Sequence, residues 1–389
     1  VLDTCRLGCD MLMVGSASPW VAGKTARQWT RVCEVATTYK MPVLAVNQFG
    51  ANDDLVFGGE VQFADARGQV AGGRAAFGSD ELLVIDTERG GHLVEEASDA
   101  MTRARALCES IRGYVTKVGA KGVVLGLSGG IDSALAATLA VGALGPQAVH
   151  GLVMPSRYSS DESEEGAMAL ASALGMSPPT VIPIEPAHAA LRDMLGPVQD
   201  IESGDLTDQN LQARIRGQLV MAWSNATGDL VLATGNKSEL AVGYTTLYGD
   251  MCGSIAVLGD VTKTQVYELA ELINAQPELI GLSVPPIPER TICRLPTAEL
   301  AANQCDQDTL PPYEVLDLII EQVVDHDRGV DDAVMATGLD RALVARWMGE
   351  IDRTAFKRWQ AAIIPKVSRR AFGRGRRWPL VARASSLSR

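Results

Sequence analysis

The sequence predicts an α/β protein built on a doubly wound parallel sheet. From Gly122 onward, short apolar runs alternate with helical stretches, and parallel strands require such crossovers and cover on both faces. The glycine-rich and polar motifs fall just after the apolar runs, where ligands bind in sheets of this kind. Bulk agrees: 389 residues, 47% apolar and 21% charged, suffice for two or three domains of roughly 100–200 residues, each with its own core.

Residues 1–91 form a first, β-rich segment. Apolar runs at 11–16, 42–46, 56–63 and 81–85 are separated by Gly, Asn and Asp clusters, and a helical stretch at 22–39 lies between the first two. Residues 92–121 are a linker, in which 95–118 carries charges on one face and Ala, Leu, Ile and Val on the other. Such a pattern predicts an amphipathic helix. The third segment is 122–389. Its strands are expected at 123–127, 149–154, 180–184 and 230–233, and its helices at 133–144, 161–174, 186–195 and 207–225. Further helices occupy 310–360, with Pro311-Pro312 at the start of one. Residues 365–389 hold eight basic residues and no acidic one. Phe372, Trp378 and Leu380 among them predict that the early part of this stretch docks on the body, while the last ten residues fray.

Composition excludes several function classes. The net charge of −12 argues against nucleic acid as a partner. No window approaches 18 apolar residues, so no membrane partner or spanning helix is expected. The seven cysteines are odd in number and lack CxxC spacing, which fits reduced thiols and a cytoplasmic location. The chain opens at Val1 without a secretory signal and reads as one that begins inside a domain.

The most specific string follows the first parallel strand. Ser128-Gly129-Gly130-Ile131-Asp132-Ser133 leads directly into a helix. Paired glycines let the backbone approach an anion closely, and the helix N-terminus presents positive partial charge to a phosphate. Ser128 and Ser133 add hydroxyls, and Asp132 offers a hard oxygen donor to Mg²⁺. No Lys follows the glycines, so the loop is not of the Walker type.

This string resembles the signature of the ATP pyrophosphatases, which share the adenine nucleotide α-hydrolase-like fold. Met154-Pro155-Ser156-Arg157, Leu211-Gln212-Ala213-Arg214-Ile215-Arg216, Thr234-Gly235-Asn236-Lys237-Ser238-Glu239 and Pro296-Thr297-Ala298-Glu299-Leu300 resemble NAD synthetases, as does Asp306-Gln307-Asp308-Thr309. The first segment, through Gly8-Cys9-Asp10, Ser16-Ala17-Ser18-Pro19 and Val46-Asn47-Gln48-Phe49-Gly50, looks like the second half of a nitrilase-like α/β sandwich, the glutaminase of the glutamine-dependent branch. That glutaminase's catalytic Glu, Lys and Cys fall upstream of the matching stretch, so a truncated glutaminase is expected, with no catalytic residue in it and free ammonia as the nitrogen source. Cys5 and Cys9 stand outside a nucleophile context and read as buried thiols. Low solubility is expected of such a half-domain.

The resemblance implies ATP-dependent amidation of deamido-NAD to NAD through an adenylated intermediate, with release of AMP and pyrophosphate. ATP would be bound by Ser128, Gly129, Gly130, Ile131, Asp132, Ser133, Met154, Thr234, Lys263 and Thr297. Asp132 and Glu239 would hold Mg²⁺. Arg214, Glu239 and Lys357 would bind deamido-NAD, and Ser18 and Lys24 would be relics of a glutamine site. A homo-oligomer through the synthetase domain is implied as well. Simpler readings stand beside these: a first-turn helix acid for Glu239, a solvated helix-terminal lysine for Lys263, a core position for Met154, a surface ion pair for Arg214, and a turn Ser with a surface Lys for Ser18 and Lys24. The chain departs from the family pattern at Leu247, Ser254, Phe356 and Gly375. Two rivals differ in class, an RNA-modifying ATP pyrophosphatase using the basic tail and a non-catalytic assembly fragment.

Overall fold

The computed structural model describes residues 9–77, 83–87, 98–198, 200–373 and 375–380. Its centre is a five-stranded, all-parallel sheet. The strands are β7 (Val123–Gly126), β8 (Val149–Val153), β9 (Thr180–Val181), β10 (Leu230–Ala233) and β11 (Ile255–Ala256), in the order β11-β10-β7-β8-β9. The chain runs outward from β7 to β9, then returns to the other side of β7 for β10. The order therefore reverses between β7 and β10, and ligands gather beyond the carboxyl ends of strands at such a point.

The first segment forms a second sheet of order β1-β2-β5-β6, built from β1 (Leu12–Ser16), β2 (Val43–Asn47), β5 (Val61–Ala64) and β6 (Val70–Arg74). Helix α1 (Lys24–Tyr39) connects β1 to β2, which pair in parallel. A separate hairpin joins β3 (Phe49–Asn52) to β4 (Leu55–Gly58). The expected run at 56–63 is thus two strands, because Gly59 takes a left-handed turn at φ +68°. The expected strand at 81–85 is not borne out at 83–85, which carry no strand, and 81–82 lie outside the described residues. On β1 and β2, Met13, Val14 and Val46 are exposed.

Helix α2 (Asp99–Val118) joins the two sheets. Ser98 caps it by accepting from the Met101 N–H, and Gly119 ends it in the left-handed conformation. The helix packs on the β3–β4 hairpin and on α3 (Ile131–Leu144), and Gly113 sits so close to Ala51 that an added Cβ would lie 3.0 Å from the Ala51 Cβ. Trp20, Ala51 and Val56 therefore share one apolar core with Leu107, Ile111, Leu135 and Leu139. α3 is apolar on all sides and almost wholly buried, as a helix inside the stack must be.

A second core gathers around α10 (Tyr313–Ile320) and α12 (Arg341–Arg353), and Phe372 inserts into it, 3% exposed. The Arg358 guanidinium covers the Phe372 ring at 4.7 Å, and Arg376 covers Trp378 at 5.2 Å. The early part of the basic stretch thus docks as expected, although Leu380 stays 52% exposed. Arg374 and residues 381–389 lie outside the described residues.

Candidate functional site

The loop after β7 explains its own sequence. Gly129 has φ +76°, and an added Cβ there would lie 2.3 Å from the Ser163 carbonyl oxygen. Only glycine fits. The Ser133 Oγ donates to the Gly130 carbonyl at 3.0 Å and lies 3.0 Å from the Ser128 Oγ, so the two hydroxyls brace the turn. Gly130 is the N-cap of α3 and supplies no side-chain cap. The first N–H groups of a helix lack intrahelical partners, and the first turn of α3 faces a cavity of about 300 Å³.

Two carboxylates converge there from opposite sides of the switch point. Asp132 lies in the first turn of α3, after β7, and Glu239 in the first turn of α7 (Lys237–Val242), after β10. Between them stands Lys263, the first residue of α8 (Lys263–Ala275). Its Nζ is 2.5 Å from Asp132 Oδ2 and 3.5 Å from Glu239 Oε1. Lys263 is only 2% exposed, which overturns the solvated alternative. Burial opposes its charge, but Asp132 and then Glu239 outweigh burial and hold the ammonium well above its ordinary value. Glu239 also fulfils the simpler reading, since its carboxylate closes a capping box with Asn236.

Burial, and after it the charge of Asp132, pushes the Glu239 carboxyl up to about 8 despite the nearby Lys263. Both carboxyl groups line the same cavity and offer hard oxygen donors, so the residues fit a divalent cation.

Tyr313 donates to Asp306 Oδ2 at 2.7 Å, and Lys263 Nζ lies 5.3 Å from the Tyr313 ring centroid. Ser238 donates to Asp317, accepts from the Lys263 N–H at 2.9 Å and so docks the α8 terminus on α7. The cavity wall also includes Ser128, Met154, Thr234 and Thr297. Met154 is both wall and core, packed with Val124, Leu152 and Ile215. The Thr297 Oγ1 donates to the Gln304 carbonyl at 2.6 Å and holds its loop closed.

Arg214 and Lys357 are not brought to that wall. Arg214 is exposed and its Nε donates to the Leu247 carbonyl at 3.2 Å. The Lys357 Nζ donates to the carbonyls of Gly243 at 2.7 Å and Thr245 at 2.6 Å, at the end of α7. The wall holds Arg216 instead, whose Nε donates to the Met154 carbonyl at 3.0 Å. Burial pulls this guanidinium below its ordinary value, against the opposing charge of Glu299. Asn236, Tyr244 and Asp306 were likewise absent from the sequence-derived set. Asn236 could have been suspected, since Asn three residues before Glu at a helix start is a capping pattern.

In the first segment the Ser18 N–H donates to Asn47 Oδ1 at 2.8 Å, the Ser18 Oγ accepts from Gln28 Nε2 at 3.2 Å, and the Lys24 Nζ donates to the Pro19 carbonyl. Both residues are thus engaged locally. Cys9 is half-buried rather than buried, and Cys5 lies outside the described residues. A second cavity, about 260 Å³, lies between Asp53-Asp54 and Phe372–Trp378 and shares no lining residue with the first.

With this geometry in place, the family model described as NAD synthase matches residues 103–361. The chain belongs to the NAD synthase family. The glutamine-dependent NAD(+) synthetase of Synechocystis sp. is 41% identical over 387 residues, 98% of this chain and 68% of that protein. The enzyme of the same name from Xanthomonas campestris is 42% identical over 97% of this chain and 68% of its own length. The chain therefore spans about two thirds of these relatives. Among solved structures, the glutamine-dependent NAD+ synthetase of Acinetobacter baumannii in complex with ADP superimposes with a TM-score of 0.71 at 37% identity, over 98% of this chain and 69% of that one. An NH3-dependent NAD synthetase from Campylobacter jejuni matches 67% of this chain and 96% of its own, with a TM-score of 0.51 at 29% identity. The reaction of the NAD synthase family is ATP-dependent amidation of deamido-NAD, and this chain is a carbon–nitrogen ligase of that kind. Neither the RNA-modifying nor the assembly alternative is favoured. Among the described residues, no helix is long and apolar enough to cross a membrane.

Proposed function

We propose that the cavity between β7 and β10 performs both half-reactions of NAD synthesis, adenylation of deamido-NAD and its capture by ammonia. The observation that carries this is the convergence of Asp132 and Glu239 on buried Lys263, beside the uncapped start of α3. The triphosphate of ATP would lie along the 128–133 loop, with its adenine against Met154. The nicotinate carboxylate is a poor acceptor for ammonia. It therefore attacks the α-phosphorus of ATP, the bond to pyrophosphate breaks, and an acyl-adenylate forms. Lys263 and the N–H groups of the α3 terminus stabilise the charge that builds on the departing pyrophosphate. Ammonia then attacks the acyl carbon, AMP leaves, and the nitrogen gives up a proton. No protein nucleophile is called for. Mg²⁺, held by Asp132 and Glu239, would add positive charge at the polyphosphate oxygens. Arg216 supports the reading as a largely buried cation on the same wall, suited to an anionic part of either substrate.

The decisive assay follows AMP and NAD formation by the 389-residue chain supplied with ATP, deamido-NAD, Mg²⁺ and ammonium chloride. Stoichiometric AMP and NAD are expected. AMP formation that proceeds equally without deamido-NAD would overturn the proposal.

A further inference from the structure

Asn236 stands between the two carboxylates and is 0% exposed. Its Nδ2 donates to Asp132 Oδ1 at 2.9 Å, across 104 positions of sequence. Its Oδ1 accepts from the Glu239 N–H at 3.0 Å, and its own N–H donates to Glu239 Oε2 at 3.2 Å. A carboxylate can only accept and a peptide N–H can only donate, so both ends of the amide are committed. The side chain cannot rotate without losing both bonds. It therefore ties the first turn of α3 to the first turn of α7 across the switch point. Lys263 also touches both carboxylates, but its ammonium is a point charge on a flexible stem and imposes no orientation on either.

We infer that Asn236 is a positioning residue whose side chain orients the Asp132 carboxylate and fixes its spacing from the α7 turn that carries Glu239, for a divalent cation. This rests on the assignment of those two residues as its ligands. Groups that orient ligands in this way typically change metal affinity or activity about 10- to 100-fold when removed.

Asn236 is also the N-cap of α7, so capping and positioning must be separated. Serine caps a helix about as well as asparagine. Its oxygen, one bond closer to the backbone and engaged by the Glu239 N–H, does not reach Asp132. N236S and N236A are therefore compared with wild type by thermal unfolding, by Mn²⁺ titration in the presence of ATP followed by electron paramagnetic resonance, and by steady-state kinetics. The expected result is a melting temperature for N236S close to wild type and above that of N236A. Its Mn²⁺ dissociation constant should rise about tenfold or more and its kcat fall about 10- to 100-fold, with KM for deamido-NAD unchanged. Wild-type Mn²⁺ affinity and kcat in N236S would reduce Asn236 to a helix cap and overturn the inference. D132N serves as the control. Mn²⁺ binding lost in D132N but intact in N236S overturns the positioning role alone, whereas Mn²⁺ binding intact in D132N overturns the ligand assignment and the inference with it. Should N236S not fold, N236T, another capping side chain too short to span the gap, is judged by the same readouts.

Discussion

Lys263 shows how far one residue's setting can depart from its sequence context. At the start of a helix a solvated lysine is the simpler alternative to the ATP contact that the resemblance implies, and the residue is closed in by two acids and the Tyr313 ring. Asp132→Asn and Glu239→Gln each replace a carboxyl group of this cluster by an amide of similar volume. AMP formation at saturating Mg²⁺ is expected to fall about 10²–10³-fold in either variant, with the circular dichroism spectrum unchanged. A rate within twofold of wild type would contradict the roles assigned here. Cys108 gives a residue-scale prediction outside the site. Burial pushes its thiol up from 9.0 to about 12, and its Sγ lies 3.4 Å from the Leu139 carbonyl. Below pH 9 the thiol is protonated in folded and unfolded chains alike and stability is unaffected. Above pH 9 the unfolded chain sheds this proton first, so stability falls as pH rises toward 12, by at most about 1.4 kcal/mol per pH unit. Urea titrations at pH 9 and 10.5 should show a smaller loss in Cys108→Ala than in wild type. The two arginines of the 211–216 motif show why some site residues were not legible. Positions 214 and 216 lie two apart on a helix and so point to different faces. The sequence says that one of them can face the cavity but not which; packing around Ile215 and Met154 decides for Arg216.

Among elements, legibility followed length. β7 and β10 are unbroken apolar runs, β8 is an apolar run interrupted by His150 and Gly151, and the expected bounds of all three meet the observed ones within a residue. β11 has two residues, too few to leave a periodic signal, and it exists because Leu232 and Ala233 offer a free edge to Ile255 and Ala256. β6 reads Val-Ala-Gly-Gly-Arg, a turn by composition, and is a strand because β5 pairs with it. Gly73 is needed there, since a Cβ would lie 2.5 Å from the Val61 carbonyl. The 128–133 loop was legible because its requirement is local, a left-handed residue between strand and helix. Gly129→Ala should therefore strike ATP binding harder than stability. A non-glycine residue in such a conformation costs about 1–3 kcal/mol, while displacement of the loop from Ser163 moves the donor N–H groups. The expected outcome is a KM for ATP raised at least tenfold with a melting temperature only a few degrees lower. An unchanged KM would mean that the loop does not hold the triphosphate.

At the scale of the molecule, a buried ion network holds the parts together. The Lys237 Nζ lies 2.9 Å from Asp260 and 3.0 Å from Asp325, the latter presented by a π turn at Glu321–Asp325 that continues α10. Ser368 completes the cluster, with its N–H and Oγ donating to Asp260 at 2.6 and 2.7 Å. Breaking a buried pair by removing one partner typically costs about 3–5 kcal/mol, because the other charge stays buried. Lys237→Met should lower unfolding stability by that order in urea titrations, and a change below about 1 kcal/mol would show that the network is not buried in solution. Nitrogen donor use belongs to this scale as well. Ser18 and Lys24 are occupied within the first segment, and ammonia is itself the nucleophile, so the 389-residue chain should make NAD with ammonium chloride and not with glutamine. Glutamine-supported turnover that survives Cys9→Ala would reveal a nucleophile elsewhere in the chain. The stretch carrying Ser368 also reaches back to the first segment. The Lys366 N–H donates to the Asp54 carbonyl at 2.8 Å, the Ala22 N–H donates to the Val367 carbonyl at 3.1 Å, and Ile363 bridges to Ile255 beside β11. A late stretch of the sequence thus lies against an early one. On the ribosome, the seam between the two sheets stays open until position 368 has cleared the exit tunnel. A chain that stops short of this stretch would leave Asp260 without the Ser368 donors and the Ala22 N–H without the Val367 carbonyl, and quality-control proteases could tell it from the folded protein.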